Sequence, residues 1–194
     1  MSVLIDDLLG GVSIIPSCAN TASLKYAVEQ TNYPCIMLKM GDINSLKKYI
    51  AYIHKYEKKA LVHVDSIKGI SKDKAGFHYM KRIGVDGMIT MKPQNIKMMK
   101  EEEIHAALGV FLVDGASVTS AIQNIQIMKP NSVIAMPMTI PKEIYEQLKT
   151  SVDVPILAGG LGVNEEIISW VLSLGVKACA VTDQEILNIF QERM

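Results

Sequence analysis

The sequence predicts one α/β domain in which eight parallel strands close into a compact, TIM-like (β/α)8 barrel, and three observations support this. A short apolar run, a turn and an amphipathic stretch recur every roughly 24 residues. The apolar runs contain few polar residues, as expected of parallel strands covered on both faces. No low-complexity segment or linker divides residues 1–194. An open flavodoxin-like sheet of about five or six units becomes the better interpretation if two of these strands fail.

The predicted strands are rich in Val, Ile and Leu, and each is followed by polar residues or a turn. Polar residues that belong to a shared site are therefore expected where these strands end. In chain order the strands are Val12–Ile15, Cys35–Leu38, Leu61–Val64, Gly87–Ile89, Val110–Val113, Val133–Met136, Pro155–Ala158 and Ala178–Val181.

The predicted helices lie between the strands and carry apolar residues at helical spacing, as Leu46, Ile50 and Ile53 do. Pro93 and Pro141 suit a first helical turn, where the missing N–H costs no hydrogen bond. In chain order the helices are Thr21–Thr31, Asn44–Tyr56, Asp73–Ile83, Pro93–Glu102, Ser117–Met128, Pro141–Thr150, Asn164–Leu174 and Gln184–Phe190.

Composition indicates a soluble globular protein, because 49% of the residues are hydrophobic and 21% are charged. No apolar run approaches the roughly 20 residues of a membrane helix, and the first residues carry acids where a secretory signal carries lysines. Cys18, Cys35 and Cys179 are odd in number and far apart, which favours buried thiols in a reducing cytoplasm over a disulfide or zinc framework. We find no cofactor or metal motif, and the sequence is compatible with a monomer or a homo-oligomer.

Charge is distributed unevenly although the formal net charge is zero. The stretch Lys39–Lys100 holds 14 Lys and Arg against 5 Asp and Glu, a net charge of +9, and the remainder carries −9. A phosphate-rich partner would be attracted to the basic stretch. The alternative is that lysines such as Lys47 and Lys58 form the solvent-exposed faces of outer helices, which their spacing favours.

The clearest local signal for a binding site is the segment VPILAGGLGVNEE, from Val154 to Glu166. An apolar run ends at Gly159 and Gly160, and a polar helix start follows at Asn164. Glycines let a ligand approach bare backbone, and the N–H groups at a helix start favour an anion. Such a turn after a late strand of a barrel is a common phosphate site. The alternative is a tight connection that binds nothing.

Other polar residues lie near the carboxyl ends of the predicted strands. His63 and Asp65 are two apart, so their side chains are expected to point the same way. They form either an acid–base couple or a hydroxyl clamp, although His63 alone also suits a hydrogen-bonded core position. Asp114 either contacts a ligand or caps the next helix. Lys92 either reaches a phosphate or faces water, and Thr182 follows the last strand.

Several of these segments resemble the glycerol uptake operon antiterminator regulatory proteins. The most specific is HVDSIKGI at His63–Ile70, which is followed by Lys72–Asp73 and by GVDGMIT at Gly84–Thr90. The segments MLKMGDI, FLVD, KPNSVIAMP and VPILAGG occur in matching order, so the similarity covers nearly the whole chain. The resemblance implies a compact barrel that responds to glycerol-3-phosphate, binds leader RNA and prevents transcription termination.

The chain departs from this family pattern near the ligand face. Leu108–Gly109 stand where the family usually has a glutamine-arginine pair, and Ala135–Met138 stand where it has a glutamate and a leucine-proline-glycine sequence. Each missing charge-assisted contact would remove roughly 1.5–3 kcal/mol of binding free energy. A different effector is therefore an alternative to glycerol-3-phosphate.

Taking the resemblance and the basic stretch together, we expect a cytoplasmic antitermination regulator that binds a small phosphorylated metabolite, glycerol-3-phosphate or a relative, and an mRNA leader. The main alternative is a phosphate-binding barrel enzyme (an isomerase, aldolase or phosphodiesterase) with Asp65 as base and Lys92 or Lys39 as electrophile or Schiff-base partner. A scaffold with neither activity is a third alternative. The predicted ligand site comprises His63, Asp65, Lys92, Asp114, Gly159, Gly160 and Thr182, and the predicted RNA contacts are Lys68, Lys72, Lys74, Lys97 and Lys100.

Overall fold

The computed structural model describes residues 4–162 and 164–194. Within them, eight parallel strands follow one another around a closed barrel, and the last strand pairs with the first. Helices connect the strands on the outside. This architecture confirms the predicted (β/α)8 barrel.

The helices and strands alternate along the chain, and the barrel strands are short. The strands are β1 (Ile14–Cys18), β2 (Cys35–Leu38), β3 (Lys59–His63), β4 (Gly87–Thr90), β5 (His105–Phe111), β6 (Ser132–Met136), β7 (Ile156–Gly159) and β8 (Ala178–Val181). The helices are α1 (Ile5–Leu9), α2 (Thr21–Glu29), α3 (Leu46–Lys55), α4 (Lys74–Arg82), α5 (Asn95–Glu101), α6 (Gly115–Met128), α7 (Lys142–Ser151), α8 (Glu165–Ser173) and α9 (Gln184–Gln191), and a 3-10 turn at Val64–Ser66 follows β3.

The predicted bounds agree with the structure for β2 and β8 and differ for the other six strands, most of all for β5 and β1, and the prediction omits one helix. β5 begins at His105 rather than at Val110, because none of its first five residues is β-branched and they lack the sequence signature of a strand. β1 continues through Pro16 to Cys18 instead of ending at Ile15, since the fixed φ of proline is compatible with extended backbone. α1 has no counterpart in the sequence prediction, because a helix of 5 residues carries too little periodicity to be recognised.

Alternating side chains along the strands divide the core into two parts. Side chains of one set point outward and pack beneath the helices, as Ile36, Val62 and Val133 do. Those of the other set point into the barrel. They include Ile15, Met37, Leu61, Ile89, Ile134 and Leu157.

The amino end of the barrel is closed by α1. Its side chains Ile5, Leu8 and Leu9 are at most 2% exposed and belong to the same apolar cluster as the barrel interior. Gly87 makes room for this helix, because a Cβ at that position would lie 3.0 Å from Leu8 Cδ1 and 2.8 Å from Leu61 Cδ1. Hydrocarbon therefore fills this end, and access to the interior is left to the carboxyl end.

Cys18, Cys35 and Cys179 are buried, free thiols, and burial raises the pKa of each to about 12. Of the helices in residues 4–162 and 164–194, none has the length and apolar character that crossing a membrane requires. The same residues include no group of three or more His, Cys, Asp or Glu arranged to hold a metal ion.

Candidate functional site

A cavity of about 160 Å³ opens at the carboxyl end of the barrel. The interior side chains Met37, Ile89 and Ile134 form its apolar floor. The volume is below the roughly 300–1,000 Å³ of sites for drug-sized ligands, so the cavity suits a small metabolite. Its polar wall comprises Ser17, Lys39, His63, Thr182 and the backbone of Gly159–Gly162.

A larger cleft of about 370 Å³ lies outside the barrel, beside His54, Lys59 and Asp86. Its central carboxylate is already satisfied, because Asp86 Oδ2 lies 2.7 Å from His54 Nε2 and accepts a hydrogen bond from the Ala60 N–H at 2.8 Å. Lys59 Nζ adds an ion pair to Asp86 Oδ1 at 3.3 Å. We therefore assign the candidate site to the barrel mouth, where polar groups remain unpaired.

The turn after β7 forms one side of the cavity. Gly160 has φ 73° and Leu161 has φ 56°, so the chain leaves the strand in the left-handed region, which favours glycine. A Cβ at Gly160 would find a single neighbour within 4 Å, Pro137 Cα at 3.9 Å, so the space above this residue is open. Among residues 4–162 and 164–194, no protein acceptor takes a hydrogen bond from the N–H of Leu161 or Gly162. These N–H groups, just before α8, are available to an anion.

His63 lies across the barrel from this turn, because β3 and β7 are diametrically opposed in a ring of eight strands. Its Nδ1 is 3.1 Å from Ser66 Oγ, within hydrogen-bond distance. Burial lowers the pKa of His63, and the nearby charge of Lys39 lowers it further, against an opposite effect of Asp65. The imidazole is therefore neutral at neutral pH and can both donate and accept a hydrogen bond.

Lys39 follows β2 and lines the cavity in a half-buried position. Its backbone N–H donates to the Cys18 carbonyl at 2.8 Å, which fixes the start of the side chain next to β1. Burial lowers the pKa of the Lys39 ammonium, and the nearby Cys18 opposes this shift. Within the described residues its Nζ has no carboxylate close enough for an ion pair, so the amine is free to meet a ligand.

Asp65 does not line the cavity. The strand alternation that predicted a shared direction with His63 stops at His63, because the chain turns into the 3-10 segment Val64–Ser66. The carboxylate instead accepts hydrogen bonds from the Met91 N–H at 2.6 Å and from Thr90 Oγ1 at 3.1 Å. Asp65 therefore joins the end of β3 to the end of β4.

Asp114 and Lys92 also lie outside the cavity lining. Asp114 is the exposed N-cap of α6, where Oδ1 accepts a hydrogen bond from the Ser117 N–H at 2.7 Å. This bond and a second one from the Ser117 side chain lower the pKa of Asp114. Lys92 is exposed after β4. The geometry thus favours capping for Asp114 and solvent exposure for Lys92, the alternatives that the sequence left open.

The five predicted RNA-contacting lysines are not equally available. Lys72 Nζ donates to the carbonyls of Ile67 and Ile70 at 2.6 and 2.7 Å, and so stabilises its own loop. Lys74 Nζ pairs with a Glu101 carboxylate oxygen at 3.1 Å, and Lys100 Nζ donates to the Lys129 carbonyl at 2.7 Å. Lys68 and Lys97 are exposed. In the described part of the chain, neither ammonium group forms a hydrogen bond or an ion pair. Hydrogen bonds from Ser45 and Asn44 lower the pKa of Asp42, and the charge of Lys68 adds to this effect.

Lys58 belongs to the basic stretch but is buried, although its spacing favoured a solvent-exposed helix face. Lys58 is 8% exposed, and its Nζ donates to the carbonyls of Ala27, at 3.0 Å, and Thr31. A cation at this place satisfies carbonyls at the end of α2. The charge of Lys58 is therefore used inside the fold.

The residues that depart from the family pattern mostly lie outside the cavity. Leu108 and Ala135 are fully buried and point toward the helices. At Gly109 the neighbouring Met91 fills the space, since a Cβ there would lie 2.3 Å from Met91 Sδ. Met138 is buried beneath the turn after β7, with its Cε 2.7 Å from where a Gly162 Cβ would be. These substitutions therefore change the packing around the cavity more than its polar wall.

Barrel closure thus brings together His63, Gly159, Gly160 and Thr182 from the predicted ligand set, and leaves Asp65, Lys92 and Asp114 outside. The cavity also includes residues that the prediction did not select. They are Ser17, Lys39, Leu161 and Gly162. Ser17 and Lys39 could have been selected from the sequence, because both lie at strand ends. Leu161 and Gly162 contribute backbone groups, which have no side-chain signature.

Comparison with known proteins agrees with this architecture. The family described as "Glycerol-3-phosphate responsive antiterminator" matches residues 14–187 of the chain. A curated relative, the uncharacterized protein YgcP of Escherichia coli strain K12, is 25% identical over 171 residues, which are 88% of each chain.

Two solved structures share the fold. The glycerol uptake operon antiterminator regulatory protein of Listeria monocytogenes has a TM-score of 0.84 at 23% identity, over 90% of this chain and 94% of that one. The glycerol uptake operon antiterminator-related protein of Thermotoga maritima has a TM-score of 0.82 at 22% identity, over 91% and 98% of the two chains. The match therefore extends across the whole barrel, including the strands that surround the cavity.

Proposed function

Since the chain belongs to the glycerol-3-phosphate responsive antiterminator family, we propose that it is a cytoplasmic transcription regulator that binds a small phosphorylated metabolite in the barrel-mouth cavity and an mRNA leader in response. The observation that carries this proposal is the combination, in one cavity of about 160 Å³, of an open glycine turn and a half-buried, unpaired lysine. Glycerol-3-phosphate or a close relative is the expected ligand.

The phosphate is expected at the β7 and β8 side of the cavity. The free N–H groups of Leu161 and Gly162 supply hydrogen bonds, and the exposed Thr182 hydroxyl supplies another. Gly160 lets the phosphate approach the backbone, because no side chain occupies the space above it. The Lys39 charge attracts the dianion from within the same cavity.

The carbon skeleton then extends toward the β1 to β3 side. There Ser17, Lys39 and the neutral His63 offer hydrogen bonds to hydroxyl groups. Met37 and Ile134 beneath them provide an apolar surface for the CH groups. A three-carbon polyol phosphate combines these features, which is why it is the ligand we favour.

Leader RNA is expected to contact the exposed lysines of the basic stretch. Lys68 and Lys97 are the best placed of the predicted set, because both are exposed and, in the described residues, neither ammonium group is held by a hydrogen bond or an ion pair. Contacts between lysines and RNA phosphates release counterions from the RNA. The affinity for the leader should therefore fall strongly as the salt concentration rises.

The ligand proposal is tested by calorimetric titration with glycerol-3-phosphate, with glycerol and inorganic phosphate as controls. We expect saturable binding of glycerol-3-phosphate, weaker binding of phosphate and no measurable binding of glycerol. Equal, non-saturable heats for all three compounds would contradict a specific site.

The RNA proposal is tested by filter binding to the chain's own operon leader at two salt concentrations, with and without glycerol-3-phosphate. A Lys68→Gln/Lys97→Gln variant should weaken binding, whereas a Lys25→Gln/Lys142→Gln variant removes the same charge from exposed positions outside the basic stretch and serves as the matched control. Binding that equals that of an unrelated RNA and is unchanged by the metabolite would overturn the proposal.

A further inference from the structure

We propose that Lys39 forms a reversible imine with the carbonyl group of a three-carbon keto or aldehyde phosphate held in the barrel-mouth cavity. The site would then distinguish carbonyl metabolites, which bind covalently, from alcohols, which bind only by hydrogen bonds. This inference rests on the proposed function, because it uses the same phosphate cradle at the β7 and β8 side.

The first argument is the placement of the amine. Lys39 lines the cavity with Ser17 and His63, and it is half-buried. Within residues 4–162 and 164–194, the Lys39 ammonium group forms no ion pair. Structural lysines of this protein are used differently: Lys58 Nζ donates to helix carbonyls and Lys72 Nζ donates to loop carbonyls. The Lys39 amine has no such task, so it is available to react.

The second argument is the protonation state of the Lys39 amine and of the His63 imidazole. A lysine acts as a nucleophile only when neutral, and desolvation increases the neutral fraction. Burial lowers the pKa of Lys39, in agreement with its position above Met37 and Ile134. The same burial keeps His63 neutral, so its imidazole can accept one proton and return it.

The third argument is the position of the phosphate site relative to Lys39 and His63 in the barrel. β7 carries the glycine turn, and β2 and β3 lie on the other side of the ring of eight strands. A ligand whose phosphate contacts Leu161 and Gly162 therefore directs its carbon chain toward Lys39 and His63. Because all four residues line one cavity of about 160 Å³, a three-carbon compound can reach both sides.

The reaction balances without an oxidant or a reductant. The lone pair of neutral Lys39 Nζ forms a bond to the carbonyl carbon, and the C=O π electrons move to oxygen. His63 accepts one of the two protons of that nitrogen and passes it to the oxygen, which gives the neutral carbinolamine. The second nitrogen proton is passed through His63 to the carbinolamine hydroxyl, which leaves as water. The products are one imine and one water molecule, and hydrolysis reverses the sequence.

The test is trapping of the imine in the intact protein with dihydroxyacetone phosphate and sodium cyanoborohydride, followed by intact mass measurement and peptide mapping. We expect one adduct per chain, located at Lys39. Glycerol-3-phosphate has no carbonyl group and should form no adduct, but it should protect Lys39 by competition.

Two variants sharpen the result. Lys39→Arg keeps the charge without a comparable nucleophile and should reduce adduct formation at least tenfold. Lys92→Arg removes an exposed lysine near the same end of the barrel and should leave adduct formation unchanged. Peptide mapping also locates the adduct in the native chain, so the test remains valid even if Lys39→Arg is less stable.

Labelling spread over surface lysines, or equal labelling of the native chain and Lys39→Arg, would overturn the inference. An absence of adduct while glycerol-3-phosphate still binds in calorimetry would overturn the imine and leave the proposed function intact. An absence of calorimetric binding by both phosphates would overturn the proposed function itself.

Discussion

The amino end of the barrel is filled with hydrocarbon, whereas the carboxyl end is hollow and polar. At the amino end, α1 seats Ile5, Leu8 and Leu9 against the interior side chains. At the carboxyl end, the same interior leads into a cavity of about 160 Å³ with an unpaired lysine and an open glycine turn. From this difference we propose that the amino end supplies stability and that the carboxyl end binds the ligand.

If the two ends divide these tasks, substitutions at one end should leave the task of the other unaffected. The α1 side chains do not line the cavity, so the energetic effects of substitutions at the two ends should be close to additive. The tests below progress from the largest expected effect to the smallest.

Leu8→Ala should destabilise the fold by about 2–5 kcal/mol, because Leu8 is 2% exposed and shortening its side chain leaves a cavity in the core. The affinity for glycerol-3-phosphate should change less than twofold under conditions where the variant is folded. Urea unfolding followed by circular dichroism measures the first effect and calorimetry the second. Leu4→Ala is the control, because Leu4 is 58% exposed and its removal should change stability by less than about 0.5 kcal/mol. A parallel loss of affinity in Leu8→Ala would contradict the division of tasks.

Gly160→Asp should have the reverse effect, with a loss of phosphate affinity of roughly a hundredfold, or about 2.7 kcal/mol. The new carboxylate would occupy the open space above residue 160 and repel the anion. Gly160→Ala is the matched control, because both variants carry the strain of φ 73°, about 1–2 kcal/mol, and only one adds charge. Undiminished phosphate affinity in Gly160→Asp would show that the turn is purely structural.

Asp65→Ala tests a residue that the sequence suggested for the ligand and the geometry assigns to the scaffold. It should cost about 1–3 kcal/mol of stability, because the Met91 N–H and the Thr90 hydroxyl lose their acceptor. Ligand affinity should remain within about threefold of the native value. Thermal unfolding and calorimetry of the same samples separate the two effects, and a large loss of affinity in a stable variant would return Asp65 to the binding site.

Asp114→Ala should have the smallest effect, a loss of about 1 kcal/mol from removal of the α6 N-cap, with unchanged ligand affinity. Asp114→Asn keeps an oxygen that can accept from the Ser117 N–H and should cost less than half as much. Similar destabilisation by both variants would indicate that the charge of Asp114, rather than its capping bond, matters.

Much of the fold was predictable because parallel strands covered on both faces produce isolated apolar runs. The runs at Cys35–Leu38 and Ala178–Val181 have the same bounds in the sequence prediction and in the structure. α1 is different, because its 5 residues form a helix through contact with the barrel floor, and contacts of this kind leave no local pattern.

The site was only partly predictable, for a related reason. Gly159, Gly160 and Thr182 follow from the rule that barrel strands end at one rim. Asp65 and Asp114 satisfy the same rule, yet their carboxylates are taken by nearby N–H groups, as short acidic side chains commonly are. The burial of Lys39 depends on side chains from several strands, which a linear sequence does not bring together.

Backbone amide NMR during titration with glycerol-3-phosphate tests the central claim most directly, because it reports binding residue by residue. The account predicts saturable shift changes at the amides of Gly159–Gly162 and Thr182, with smaller changes near His63 and none along α1. Changes concentrated at α1 and the amino end of the barrel, or a titration that leaves the turn after β7 unaffected, would contradict it.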